Sequence, residues 1–181
     1  EQALATEQAA IKPMRNYGEA FRSPVVIKLC AQYFCWSIGV YGFVLWLPSI
    51  VKNGSSLGMV ETGWLSALPY LAATIAMLAA SWASDKVGSR RGFVWPFLLV
   101  GAAAFAASFA LGSTHFWMSY VLLVIAGAAM YAPYGPFFAI VPELLPKNVA
   151  GGAMALINSM GALGSFVGSY FVGYLTVPPA R

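Results

Sequence analysis

Two uncharged amides are the side chains with the clearest capacity for chemistry. Gln32 and Asn158 each lie inside a long apolar run of the sequence. A carboxamide in the interior of a membrane is costly unless it finds a hydrogen-bond partner. Two interpretations stay open for each residue: a hydrogen bond between helices, or a ligand for a polar solute in a cavity.

The surroundings of Asn158 favour close helix packing beside a cavity. The stretch 134–174 begins with a Pro- and aromatic-rich run and continues as a segment rich in small residues. Gly164 and Gly168 form a GxxxG pair, which lets another helix approach closely. We predict that this stretch forms two membrane helices and one wall of a cavity for a polar solute.

A second constellation lies in the polar turn 84–91. Gly88 can supply the positive φ that a tight turn between two helices requires. Asp85 is the only acid in the turn, and its carboxylate can meet a helix N-terminus and pair with an arginine. The alternative is that the turn is simply a basic membrane anchor.

Other kinds of chemistry find no support in the sequence. There is no catalytic dyad, no metal-ligand cluster and no nucleotide motif, so we predict neither an enzyme nor a cofactor or metal site. Cys30 and Cys35 are five apart on one predicted helix and diverge, which disfavours a disulfide. His115, the single histidine, lies at a predicted helix boundary without an evident chemical role.

The elements that position these residues are membrane helices. Of the 181 residues, 60% are hydrophobic and only 9% are charged, whereas soluble domains have about 25% charged residues. Five charge-free stretches are each long enough for a spanning helix, which needs about 20 apolar residues. We predict an all-α membrane protein whose five transmembrane helices cover roughly 26–51, 62–83, 93–112, 116–140 and 150–174.

Basic residues predict the orientation of this bundle. Eight of the ten lie in the N-terminal arm and in the loops on the same side, which the positive-inside rule assigns to the cytoplasm. We therefore predict a cytoplasmic linker at 1–22 and a transmembrane bundle at 23–181. The scattered basic residues do not indicate a nucleic-acid interface. Because five spans leave the termini on opposite faces, we expect the chain to be a fragment of something larger.

The turn SWASDKVGSRRGF resembles the cytoplasmic signature of the major facilitator superfamily, D-[RK]-x-G-x-R-R. The runs YGFVLWLP, GPFFAIVPELLP and ALINSMGALGSFVGSYFVGYL resemble the anion:cation symporter family within it. The resemblance covers about 22–175 and implies most of a C-terminal six-helix half that lacks its last helix. Two departures are Ser81, where the signature usually has Gly, and Lys86, where Arg is frequent.

The resemblance also implies roles for particular residues. The substrate-contacting positions of the family fall on Gln32, Tyr41, Phe138 and Asn158, and Phe138 stands where many members have Trp. The cytoplasmic gate network falls on a second set, namely Asp85, Gly88, Arg90, Arg91 and Glu143. Since Phe138 has no indole N–H, we expect the substrate selectivity of this protein to differ from that of relatives with Trp at this position.

The function that this resemblance implies is secondary active transport. We expect proton-coupled import of a sugar acid or similar organic anion across a bacterial inner membrane, by alternating access. The partners would be the substrate, the lipid bilayer, the N-terminal six-helix half, and protons bound in that half. Two alternatives stay open: a superfamily exporter of hydrophobic compounds, and a non-transporting membrane scaffold.

Overall fold

The computed structural model describes residues 16–55 and 57–176, and these residues form helices joined by short turns. The short helix that the sequence suggests at 1–11, and most of the predicted linker, lie outside the described residues. Within the described ranges there is no β-strand. The predicted all-α fold is therefore confirmed.

The helices, in chain order, are α1 (Tyr17–Phe21), α2 (Pro24–Gly54), α3 (Met59–Val87), α4 (Trp95–Leu111), α5 (Phe116–Tyr131), α6 (Tyr134–Leu144) and α7 (Lys147–Thr176). Short 3-10 turns at Arg91–Phe93 and Gly112–His115 precede α4 and α5. Five helical segments are long and apolar enough to cross a membrane: Pro24–Gly54, Met59–Val87, Arg91–Leu111, Phe116–Leu144 and Lys147–Leu175. The five predicted membrane helices are thus present.

The fourth predicted span, 116–140, is two helices rather than one. The chain turns after α5 at Ala132 and Pro133, and α6 begins at Tyr134. Pro133 has no backbone N–H to continue the ladder of α5. Its carbonyl oxygen instead accepts a hydrogen bond of 2.8 Å from the amide of Phe137. The proline therefore interrupts the helix while the segment remains long enough to span.

The described residues divide into two compact units, one formed by the chain up to Gly42 and from Phe138 onward, the other by Phe43–Phe137. The core of the second unit contains Phe43, Leu47, Val51, Tyr120 and Leu123. Two tyrosine hydroxyls join its helices: Tyr70 donates to the carbonyl of Val44 at 3.1 Å, and Tyr120 donates to that of Leu65 at 2.7 Å. These bonds satisfy phenol groups that a membrane interior would otherwise leave without partners.

The first unit contains the early part of α2, the end of α6, and α7. Here the GxxxG pair lies at a close crossing of α7 with α2. A Cβ atom on Gly164 would meet the carbonyl oxygen of Phe34, and one on Gly168 would meet that of Ile38. The two backbones approach this closely because the glycines have no side chains.

Candidate functional site

The four predicted substrate contacts all belong to the first unit. Gln32 and Tyr41 lie on α2, Phe138 lies on α6, and Asn158 lies on α7. Gln32, Tyr41 and Asn158 are exposed, while Phe138 is half-buried. The four predicted contacts therefore come from three separate helices.

A buried tyrosine, Tyr33, connects those three helices. Its ring packs edge-to-face on Phe138, with ring centroids 5.2 Å apart, and on Trp36, with centroids 5.6 Å apart. A Cβ atom on Gly161 would overlap the Tyr33 ring. The ring can therefore pack directly against α7 only because Gly161 has no side chain. Gly161 comes three residues after Asn158 on the same helix. Tyr33 thus fixes Phe138 and the Asn158 region against α2.

The sequence did not identify Tyr33 as the centre of this cluster. Tyr33 and Trp36 are three residues apart, so both reach one side of α2. That spacing indicates a shared face for Tyr33 and Trp36. The contact of the Tyr33 ring with Gly161, however, depends on which helix crosses α2. Periodicity alone does not give that information.

Gln32 lies on an exposed face of α2. Cys35 and Gly39 are exposed as well, three and seven residues further on, so they share that face. Tyr41 follows Gln32 by nine residues, which is two and a half turns of about 3.6 residues. Tyr41 therefore points to the opposite side of α2, and the structure does not bring it together with Gln32.

Asn158 lies on a face of α7 that carries small side chains. Neighbouring exposed positions on this face are Gly151, Ala155 and Ala162. The hydroxyl groups nearby are already occupied, because Ser159 donates to the carbonyl of Ala155 at 2.9 Å and Ser165 donates to that of Ala162 at 2.7 Å. Asn158 is therefore the polar side chain of this face that retains its capacity to bind a solute.

The two amides are not used to hold the described helices together. Within residues 16–55 and 57–176, neither Gln32 nor Asn158 forms a side-chain hydrogen bond. The interhelical hydrogen bond that the sequence left open for each is therefore not formed inside this part of the chain. Both amides remain available to a ligand or to a further segment.

The polar turn has the conformation that the sequence predicts at Gly88. This residue ends α3 with φ 68°, and its amide donates to the carbonyl of Ser84 at 3.0 Å. Asp85 forms an ion pair with Arg90 across the turn. Arg91 is exposed and begins the 3-10 turn that leads to α4. The predicted pairing of Asp85 with an arginine is thus present within the turn itself.

Glu143, the remaining member of the predicted gate set, is exposed near the end of α6 and belongs to the first unit. An open cavity of about 830 Å³ also lies in this unit, lined by residues of α1, the start of α2 and the end of α6. None of the four predicted substrate contacts lines it. This cavity is therefore not the predicted substrate site.

The first unit offers neutral hydrogen-bond donors and aromatic faces. Such groups suit a ligand with hydroxyl groups on a carbon skeleton, since amides bond to hydroxyls and rings pack against carbon. Among the described residues, no group of three or more His, Cys, Asp or Glu side chains is placed to hold a metal ion.

The sequence matches the family model described as Major Facilitator Superfamily over residues 2–169. It is 33% identical over 150 residues to a "Putative tartrate transporter" of Agrobacterium vitis, and the match covers 83% of this chain and 33% of that protein. It is 29% identical over 156 residues to a "Quinolone resistance transporter" of Acinetobacter baumannii, and the match covers 86% of this chain and 36% of that protein. The chain therefore spans about a third of the length of these curated relatives.

Proposed function

We propose that this chain, which belongs to the Major Facilitator Superfamily, supplies substrate-binding residues to a secondary transporter for a sugar acid or similar organic anion. The chain belongs to a family of transporters, not of enzymes. The observation that carries the proposal is the pair of exposed amides, Gln32 and Asn158, beside the Tyr33–Phe138 aromatic pair. The amides would bind substrate hydroxyls, and the Phe138 ring would pack against the carbon skeleton.

The names of several relatives support an anionic substrate. Relatives are named as tartrate transporters and as a cis,cis-muconate transport protein. Tartrate and cis,cis-muconate are both dicarboxylates. We infer that the carboxylate of this protein's substrate is bound by a cation outside the five helices, because their interiors contain no Lys or Arg.

We further propose alternating access with coupling to protons. The two halves of such transporters rock about a site near the membrane midplane. The N-terminal six-helix half would bind the proton and the substrate carboxylate. The resemblance assigns Asp85, Gly88, Arg90, Arg91 and Glu143 to the cytoplasmic gate, and these residues would form it in a bacterial inner membrane.

A second candidate function is the export of hydrophobic compounds. The similarity to the quinolone resistance transporter favours it. The two exposed amides argue against it, because unpaired amides in a binding site disfavour a purely hydrophobic ligand.

Uptake by the full-length protein in proteoliposomes tests the proposal. Labelled aldonates, hexuronates, ketogluconates and tartrate are offered, with the neutral sugars as controls, with and without an inward proton gradient. We expect gradient-dependent uptake of one acid and none of its neutral sugar. Absence of uptake across the panel, together with drug efflux by the same folded protein, would establish the exporter instead.

A further inference from the structure

The outer side of α3 carries a continuous row of large apolar side chains. All six of its members are between 47% and 74% exposed: Trp64, Leu68, Leu71, Ile75, Leu78 and Trp82. They follow one another at intervals of three or four residues, so they form one stripe along the helix. The buried residues of α3, which include Ser66, Ala73 and Ala80, lie half a turn away.

The two ends of this stripe match the thickness of a bilayer. Trp64 and Trp82 are 18 residues apart, which is five turns of about 3.6 residues, so both indoles lie on the same side of α3. At about 1.5 Å per residue, they are separated by about 27 Å along the axis. The hydrocarbon core of a bilayer is about 30 Å thick. Since Trp prefers the two membrane interfaces, the stripe fits acyl chains between two headgroup layers.

The two ends differ in charge. The ammonium group of Lys86, one turn after Trp82, lies 5.0 Å from the centroid of the Trp82 ring. Lys86 is exposed and forms no ion pair with another described residue. The neighbouring carboxylate, Asp85, is paired with Arg90. At the other end, the charged residue one turn from Trp64 is Glu61, an acid.

We propose that Trp82 and Lys86 form a binding site for the phosphate of an anionic phospholipid. An ammonium group has three N–H donors, and the indole face occupies only one direction around it. The remaining donors face outward, where a headgroup phosphate lies when acyl chains cover Leu78 and Ile75. The indole N–H provides a further donor at the same depth. At the Trp64 end the charged side chain one turn away is the acid Glu61, and the ammonium group of Lys52 is bonded to the carbonyl of Leu57, so we expect no such preference there.

Fluorescence quenching by brominated lipids in vesicles of the full-length protein tests this site. The difference between wild type and Trp82→Phe isolates the Trp82 signal, and Trp64→Phe isolates Trp64 as the internal control. Vesicles contain phosphatidylcholine and phosphatidylglycerol, with bromine on one or the other. We expect Trp82 to be quenched about fivefold more effectively by brominated phosphatidylglycerol, the effect of one lysine at an anionic surface, and Trp64 equally by both lipids.

Charge variants show whether Lys86 causes the preference. Lys86→Gln should remove the preference of Trp82 for phosphatidylglycerol, and Lys86→Arg should keep it. Lys147 is a basic residue of the first unit, and Lys147→Gln should leave the preference unchanged. Equal quenching of Trp82 by both lipids, or a preference that survives Lys86→Gln, would overturn the site. Absence of quenching by either lipid would show that protein covers the stripe and would overturn it too. Each outcome is independent of the substrate that the protein transports.

Discussion

Asn158 is the residue on which the proposed recognition depends most directly. Its amide is exposed and forms no hydrogen bond among the described residues. It lies three residues before Gly161, the glycine against which the Tyr33 ring packs. Replacing it by Ala would leave a substrate hydroxyl without its partner, which costs about 1–3 kcal/mol. We expect Asn158→Ala to reduce uptake at least about fivefold at limiting substrate, measured in proteoliposomes at matched protein levels.

The matched control for this variant is Ser159→Ala. Ser159 is also exposed on α7, but its hydroxyl is satisfied by the carbonyl of Ala155. Its removal should leave uptake near the wild-type rate. If Asn158→Ala retained full uptake as well, Asn158 would be a packing residue and the candidate site would lose its main support.

Asp85 belongs to the polar turn rather than to the binding cluster. Its ion pair with Arg90 lies at the surface, where such pairs contribute about 0.2–1 kcal/mol. If the pair stabilises one state of a gate, Asp85→Asn should change the rate of conformational exchange by at most about fivefold. We expect a lower maximal rate with an unchanged apparent affinity, measured by concentration-dependent initial uptake rates.

Glu61→Gln provides the control for the Asp85 variant. It removes one acid from the opposite end of the same helix, where no gate is proposed. Its maximal rate should match the wild type. An Asp85→Asn effect confined to substrate affinity would contradict the gating role.

At the scale of the helix, α2 presents a face that can be probed directly. Cys35 is exposed on the same side as Gln32, whereas Cys30 is buried. A small thiol reagent should therefore modify Cys35 rapidly and Cys30 slowly, as measured by mass spectrometry of the folded protein. If Gln32 binds substrate, saturating substrate should slow the Cys35 reaction. Rapid labelling of Cys30, or no protection of Cys35, would disprove this assignment of faces.

The crossing of α2 with α7 has its own test. Gly164→Ala places a methyl group against the Phe34 carbonyl oxygen, and the backbones must move apart. Overpacking of this kind costs about 1–3 kcal/mol, so we expect a lower midpoint of thermal unfolding in detergent. Gly151→Ala is the matched control, because a Cβ at Gly151 meets nothing within 4 Å. Equal midpoints for the two variants would show that the crossing is looser than the structure indicates.

The helices were predictable because their signal is local. Long charge-free stretches define membrane spans without reference to any other part of the chain, and Gly88 was predictable because a turn of that length needs a positive φ. The contacts of Tyr33 were not predictable in this way. Membrane helices are apolar on every side, so the sequence does not show which side of α2 meets Gly161. Tyr41 was grouped with Gln32 by the family resemblance alone, and their separation of nine residues places the two side chains on opposite sides of α2.

At the scale of the whole molecule, the distribution of charge bears on energy coupling. Every Asp, Glu, Lys and Arg of the 181 residues lies at the ends of the five membrane helices or outside them. Proton coupling requires a titratable group within the transport pathway. We therefore expect the 181-residue chain alone to show no accumulation of substrate driven by a pH gradient.

The measurement compares this chain with the full-length protein in proteoliposomes that carry the same inward proton gradient. Circular dichroism must first show that both preparations are helical. The full-length protein should accumulate its substrate, and His115→Gln within it should leave the pH profile unchanged, because His115 lies at a helix boundary. Gradient-driven accumulation by the 181 residues alone would contradict the prediction, since it would require a proton site among helices whose interiors contain no ionised side chain.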